Sequence, residues 1–149
     1  MIGSLKHFDF ANALLKWYDA HSRPYPWRKT SDPYRIWLSE IMLQQTQVKT
    51  VIPFYNHWLA ELPNIQSVAK ADSEKILKLW EGLGYYARAR NFHSACKIVV
   101  NLFNGKVPAN YQDFLSLPGV GPYIAAAVMS IAYNFPTPAI DSNVYRVIS

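Results

Sequence analysis

The sequence predicts an all-helical domain, and three observations carry that prediction. Apolar residues recur at three- and four-residue spacing along most of the chain. No segment sustains the two-residue alternation of a half-buried strand. No repeat, low-complexity tract or linker divides the 149 residues. One domain built as an array of short, non-heptad helices follows.

The first helix is expected over residues 8–20, where Phe10, Leu14, Trp17 and Tyr18 repeat at helical spacing. Residues 21–30 form a loop around Pro24 and Pro26, with Arg23, Trp27 and Arg28 in it. Asp32 then offers an N-cap and Pro33 occupies the first helical position, where a missing N–H costs nothing. That helix is expected to run to about Val48. Further helices are expected over residues 50–61, 73–81, 86–103, 111–116 and 122–133. Asn104-Gly105 and Val107-Pro108 mark a turn, and Pro136 and Pro138 an extended loop. Ser142 caps a last helix, and Val144, Val147 and Ile148 begin its apolar stripe. The chain stops about two turns into it, and isolated helices that short are marginal. The expectation is a fragment.

Composition narrows the function classes. Half the residues are hydrophobic and 15 % are aromatic, enough for a core and too apolar for disorder. The net charge of +5 and a pI near 9.3 favour a polyanionic partner, nucleic acid before membrane. The single cysteine, Cys96, makes neither an internal disulfide nor a multi-thiolate metal site. The four histidines are too scattered for a zinc site, so no metal ligand set is expected in these residues. No apolar run approaches the roughly 18 residues of a membrane-crossing helix. With no secretory leader expected, the compartment read from the sequence is intracellular and reducing.

Three groups of residues carry chemistry. Leu117-Pro118-Gly119-Val120-Gly121-Pro122-Tyr123 lies between two helices. Its glycines permit a tight turn and Pro122 starts the second helix. Open N–H groups and the positive helix end there make an anion site that suits a DNA phosphate. The plainer reading is an ordinary turn between helices. Glu40 has Ile36, Trp37, Leu43 and Gln44 one helical turn away, three of them apolar. Such a setting raises a carboxyl pKa and makes a general acid, unless the side chain tilts into solvent. Asp141 precedes a helix and is either a cap or the ionised partner of that acid. A protonated acid beside an ionised carboxylate is the arrangement of glycoside cleavage, and a nucleoside is an N-glycoside.

Around these stand polar and aromatic candidates. Gln44-Gln45-Thr46-Gln47 is a polar run read as lying inside an apolar helix. Glutamine there hydrogen-bonds base edges or fills the space of a flipped base, or else faces solvent. Gly82-Leu83-Gly84-Tyr85-Tyr86-Ala87-Arg88-Ala89-Arg90 puts tyrosines on a glycine turn ahead of two arginines. A tyrosine could wedge between bases while Arg88 meets phosphate; core packing is the alternative.

These stretches resemble the helix-hairpin-helix DNA glycosylases. The strings Trp37-Leu38-Ser39-Glu40-Ile41-Met42-Leu43-Gln44-Gln45-Thr46-Gln47-Val48, Trp80 to Asn91 and Pro138 to Val147 narrow the likeness. With the hairpin, they resemble the adenine DNA glycosylase (MutY) family over almost the whole chain. The resemblance implies the six-helix barrel domain of that fold over 1–149, with the hairpin at about 111–134. It stops before the loop that binds the iron–sulfur cluster and before a C-terminal recognition domain. It implies a monofunctional enzyme of base excision repair that removes adenine opposite oxidised guanine or guanine from double-stranded DNA. Glu40 falls on the catalytic acid and Asp141 on the residue that stabilises the sugar cation. Tyr123 stands where lyase relatives carry a nucleophilic lysine, and tyrosine forms no Schiff base. Gln45 and Tyr85 match residues that enter the duplex. Arg88, Leu117, Gly119, Val120 and Gly121 fall on the DNA-contacting surface. Arg23, Trp27 and Leu43 match the adenine pocket.

The resemblance also implies a 4Fe-4S cluster whose ligands are not in this chain, a monovalent cation at the hairpin, a monomer, no membrane partner, and location in a bacterial cytoplasm or nucleoid or a eukaryotic nucleus. In this fold the first helix packs on later helices beyond the sequence, so Phe10, Leu14 and Trp17 are expected to be exposed. A thymine-mismatch glycosylase, a non-catalytic DNA-binding module and an inert fragment are the alternatives. The joint presence of Glu40 and Asp141 argues against the pure binder.

Overall fold

The computed structural model describes residues 2–149, with side chains from residue 9 onward. Among them every regular element is helical. In chain order these are α1 (Ile2–His21), a 3-10 turn (Pro26–Lys29), α2 (Pro33–Leu43), α3 (Val48–Glu61), α4 (Ile65–Lys70), α5 (Ser73–Trp80), α6 (Ala87–Leu102), α7 (Tyr111–Leu115), α8 (Pro122–Tyr133) and α9 (Ser142–Ile148).

Short polar side chains start most of them. Asp32 accepts from the Tyr34 N–H, Asp72 from Lys75 and Asn110 from Asp113, each satisfying an open donor of a first turn. Asn64 and Ser67 form a reciprocal capping box that starts α4, a six-residue helix the sequence pattern did not announce. The last helix is capped by Asp141, not Ser142: its Oδ1 accepts from the Val144 N–H at 2.9 Å.

α2 is the central element. It packs on α3, on α8 and on the 3-10 turn, while α4 and α5 pack on α6. Trp37 of α2 is fully buried, edge-on to Phe92 of α6 and Phe114 of α7 with ring centroids 4.8 and 5.1 Å away. These are favoured aromatic geometries. Trp58 of α3 donates to the Tyr34 hydroxyl, which donates to the Leu62 carbonyl at 2.6 Å. That chain satisfies two buried polar groups in the core.

α1 lies outside this core. Phe10, Leu14 and Trp17 are 56, 52 and 58 % exposed, as expected from the sequence. Val147 and Ile148 of α9 are more exposed still. α2 ends at Leu43, not near Val48. The polar run 44–47 is the break between α2 and α3, with Gln45 in the left-handed region at φ 56°.

Candidate active site

A cleft of about 1030 Å³ opens between Tyr18 of α1, the 3-10 turn, α2, the start of α6, α8 and the start of α9. Glu40, Tyr123 and Asp141 all line it, from three elements far apart in sequence. α2 brings Glu40, the small-residue helix α8 allows close packing on α2, and the cap of α9 brings Asp141.

Glu40 is half-buried, and burial pushes its carboxyl above the ordinary range. The nearby Tyr123 hydroxyl pulls the other way, and the negative charge of Asp141 pushes in the same direction as burial. Burial, then the Glu40 and Asp141 charges, hold the Tyr123 phenol well above its usual range, so it stays a neutral donor. Asp141 meets two N–H donors, the Val144 amide and the Asn143 side chain at 3.2 Å, at the start of a helix. Asp141 is thus the cap of α9, and its side chain also lines the cleft.

Trp27 and Leu43 line the apolar side of the cleft. Trp27 is held edge-on by Tyr55 at 5.3 Å. Arg23, grouped with them from sequence, does not line the cleft; its guanidinium donates outside it to the Tyr25 hydroxyl at 3.2 Å. Arg28 lines it instead, donating to the Arg23 carbonyl and lying 4.8 Å from the Tyr25 ring centroid. The sequence put both arginines in one loop, and only the 3-10 turn decides which one reaches inward.

Gln45 and Tyr85 stand together at the cleft. Both are exposed and both have positive φ, 56° and 49°. Left-handed backbone costs a non-glycine residue about 1–2 kcal/mol. Two such residues share this rim, while the other two, Asn104 and Asn134, lie at helix ends away from it. Arg88, read as a phosphate contact, points inward. Its guanidinium donates to the carbonyls of Ile41, Met42, Gln44, Leu83 and Gly84 and to the Thr46 hydroxyl, over distances of 2.5–3.3 Å. A fork engaged by six protein oxygens is not free for phosphate.

The hairpin joins α7 to α8. Leu117 and Val120 are buried, 3 and 8 % exposed, so their side chains anchor the turn rather than meet DNA. The Val120 N–H is also taken, donating to the Leu117 carbonyl. No side chain caps Gly121, and the first-turn N–H groups of α8 have no intrahelical partner. Past Val120, the open N–H groups of the hairpin are thus those of Gly121 and the α8 N-terminus. Gly119 has φ 75°, and a Cβ there would meet the Asn91 Cβ at 2.8 Å.

Among the described residues no cluster of histidine, cysteine or carboxylate groups fits a metal ion. Cys96 is buried in α6, and burial raises its thiol far above the usual range. One buried thiol does not fit a four-thiolate iron–sulfur cluster. No helix among the described residues is long and apolar enough to cross a membrane.

The fold and cleft define a helix-hairpin-helix protein with a paired-carboxylate site. Residues 38–149 match the family described as HhH-GPD superfamily base excision DNA repair protein, and the chain belongs to that superfamily. It is 44 % identical over 140 residues to the adenine DNA glycosylase of Buchnera aphidicola subsp. Baizongia pistaciae, covering 93 % of this chain and 40 % of that protein. It is 43 % identical to the Rattus norvegicus adenine DNA glycosylase, again over 93 % of this chain but 29 % of that one. The solved structure of a thermostable thymine-DNA glycosylase superposes with a TM-score of 0.93 at 32 % identity, covering 99 % of this chain and 69 % of that one. The chain therefore spans less than half the length of these two curated relatives.

Proposed function

We propose that this chain carries the catalytic site of a monofunctional adenine DNA glycosylase acting on double-stranded DNA. The observation that carries the reading is Glu40, a half-buried carboxyl whose pKa is raised by desolvation and by Asp141 in the same cleft. A carboxyl pushed toward its protonated form beside a second carboxylate is the pairing that general-acid glycoside cleavage uses. An adenine swung out of the duplex enters between Trp27 and Leu43. Glu40 gives its proton to N7 of the base. The C1′–N9 bond breaks, its electron pair leaves with adenine, and the Asp141 carboxylate stabilises the cation left on the sugar until water adds at C1′ and gives its extra proton to the Glu40 carboxylate. Tyr123 orients the Glu40 carboxyl and, being a phenol, opens no lyase path.

Gln45 and Tyr85 enter the duplex to hold the gap, and Gly121 with the α8 N-terminus takes a backbone phosphate. The hairpin cation and the preference for oxidised guanine or guanine opposite adenine belong to the same proposal. The test is single-turnover base release by the chain and its Glu40→Gln variant. Positioned proton transfer contributes about 100- to 10,000-fold, so release falls by that factor while DNA affinity holds. An equal loss of binding would make Glu40 structural.

The thymine-DNA glycosylase likeness favours one second reading, a thymine-mismatch enzyme. Thymine has no N7 to receive the Glu40 proton, and the curated relatives described above are adenine enzymes. Parallel release assays on adenine and thymine mismatches separate the two.

A further inference from the structure

One side chain joins the two turns that carry the exposed left-handed residues. Arg88 leaves the first turn of α6. Its Nη1 donates to the carbonyls of Ile41, Met42 and Gln44 at the end of α2, at 2.9, 3.0 and 2.5 Å. Its Nη2 donates to the Thr46 hydroxyl at 3.2 Å and to the carbonyls of Leu83 and Gly84 at 3.3 and 3.1 Å. The guanidinium carbon lies 5.2 Å from the buried Trp80 ring centroid and 5.6 Å from that of Tyr85. Trp80 itself donates to the Gly84 carbonyl. The open carbonyls at a helix C-terminus carry partial negative charge and attract a cation. Here that cation also grips a second turn.

We propose that Arg88 is a positioning residue that presets Gln45 and Tyr85 together in their left-handed conformations, so that both stand ready before DNA binds. This purpose rests on the reading that those two residues enter the duplex. Neither is a glycine, so each needs its turn held from outside. Arg88 holds the carbonyl of Gln44 and the hydroxyl of Thr46 on either side of Gln45. It also holds the carbonyls of Leu83 and Gly84 that lead into Tyr85. The planar fork reaches both turns at once, which the single ammonium of a lysine cannot do. A preset pair binds without first ordering two loops.

Backbone hydrogen exchange in the free chain tests the brace without DNA. The Thr46 and Leu83 amides, bonded to the Leu43 and Trp80 carbonyls, report one turn each. In Arg88→Lys, which keeps the charge, both should exchange faster together, by about ten- to a hundredfold for the loss of charged hydrogen bonds. Amides of α4 and of the hairpin should keep their rates. Thr46→Val, which removes one acceptor only, should loosen the first turn and keeps the test open if the lysine variant does not fold. A fluorescent adenine analogue in the mismatch should then brighten less on binding Arg88→Lys than on binding the unaltered chain, with affinity for plain duplex within about twofold.

A uniform rise in exchange would make Arg88 an ordinary stability residue and overturn the proposal. So would unchanged exchange, or loosening of only one turn by the lysine variant. Faster exchange in both turns with no fluorescence change even for the unaltered chain would support the brace and overturn the duplex-entry reading.

Discussion

At the scale of single residues, the cleft sets Glu40 between opposed influences. Burial and Asp141 favour its protonated form, and the Tyr123 hydroxyl favours its ionised form. Tyr123→Phe removes the opposing hydroxyl. The carboxyl pKa then rises further. If Glu40 is the acid, base release declines on the alkaline side as it loses its proton, and that decline moves to higher pH in the variant. A pH series of single-turnover rates reads the shift directly; an unmoved alkaline limb would place the titrating acid elsewhere. Much of this was legible in the sequence. Ile36, Trp37 and Leu43 surround Glu40 at helical spacing, which offers desolvation, but spacing left open a tilt into solvent that the packing of α2 decides. The role of Arg88 was not legible, because its partners at Ile41 to Thr46 lie more than 40 positions away in sequence. Arg23 and Arg28 were indistinguishable for a similar reason: five residues apart in one loop, they part company only in the 3-10 turn.

At the scale of elements, starts were easier to read than stops. Asp32-Pro33 and Gly121-Pro122 carry their own signals, and α2 and α8 begin there. The end of α2 has no glycine or proline. It is closed by Arg88 from α6, so a tertiary contact ends a helix that local pattern would continue. α4 was missed because six residues are too few to show a period. Its packing on α6 brings His93, buried, with Nε2 on the Ala71 carbonyl at 2.9 Å. Burial and then Lys97 push the imidazole pKa below 6.5. The unfolded chain therefore binds a proton that the folded one excludes, and stability falls with pH in that range. The contribution is complete above about pH 6.5 and drains as pH falls through the lowered folded value. Denaturant midpoints between pH 8 and 5 should show the decline, and His93→Gln should flatten it. An unchanged slope in that variant would assign the decline to other groups. The hairpin yields a second outcome at this scale. Gly119→Ala combines positive φ with a Cβ against Asn91, so a loss of about 1–3 kcal/mol is expected in equilibrium unfolding. Duplex affinity should drop with it, as the turn sets the α8 N-terminus. Full stability would mean that Asn91 yields and that the close approach is unimportant.

At the scale of the whole molecule, the core and the exposed apolar surface are separate regions. Trp37, Trp58 and Trp80 are completely buried among α2, α3, α5 and α6, whereas Trp17 on α1 is 58 % exposed. The same residue type therefore carries opposite weight in the two places. Truncating Trp37 should cost about 3–5 kcal/mol, while polar replacements of Leu14 and Trp17 should stay within about 0.5 kcal/mol. The α1 side chains are nonetheless an apolar face in water, with Phe10 and Leu15 beside them, while Tyr18 of the same helix turns to the cleft and Arg28. Exposed patches of this kind bind hydrophobic dyes and promote association. The chain should thus enhance the fluorescence of an anilinonaphthalene dye well above a compact helical control. Leu14→Gln with Trp17→Gln should remove most of that signal without shifting the thermal midpoint. If the signal survives both replacements, the dye binds elsewhere, with the exposed Val147 and Ile148 of α9 as the next positions to change. If the midpoint falls with the signal, α1 is packed more closely than its exposure indicates, and the separation of core from apolar surface fails.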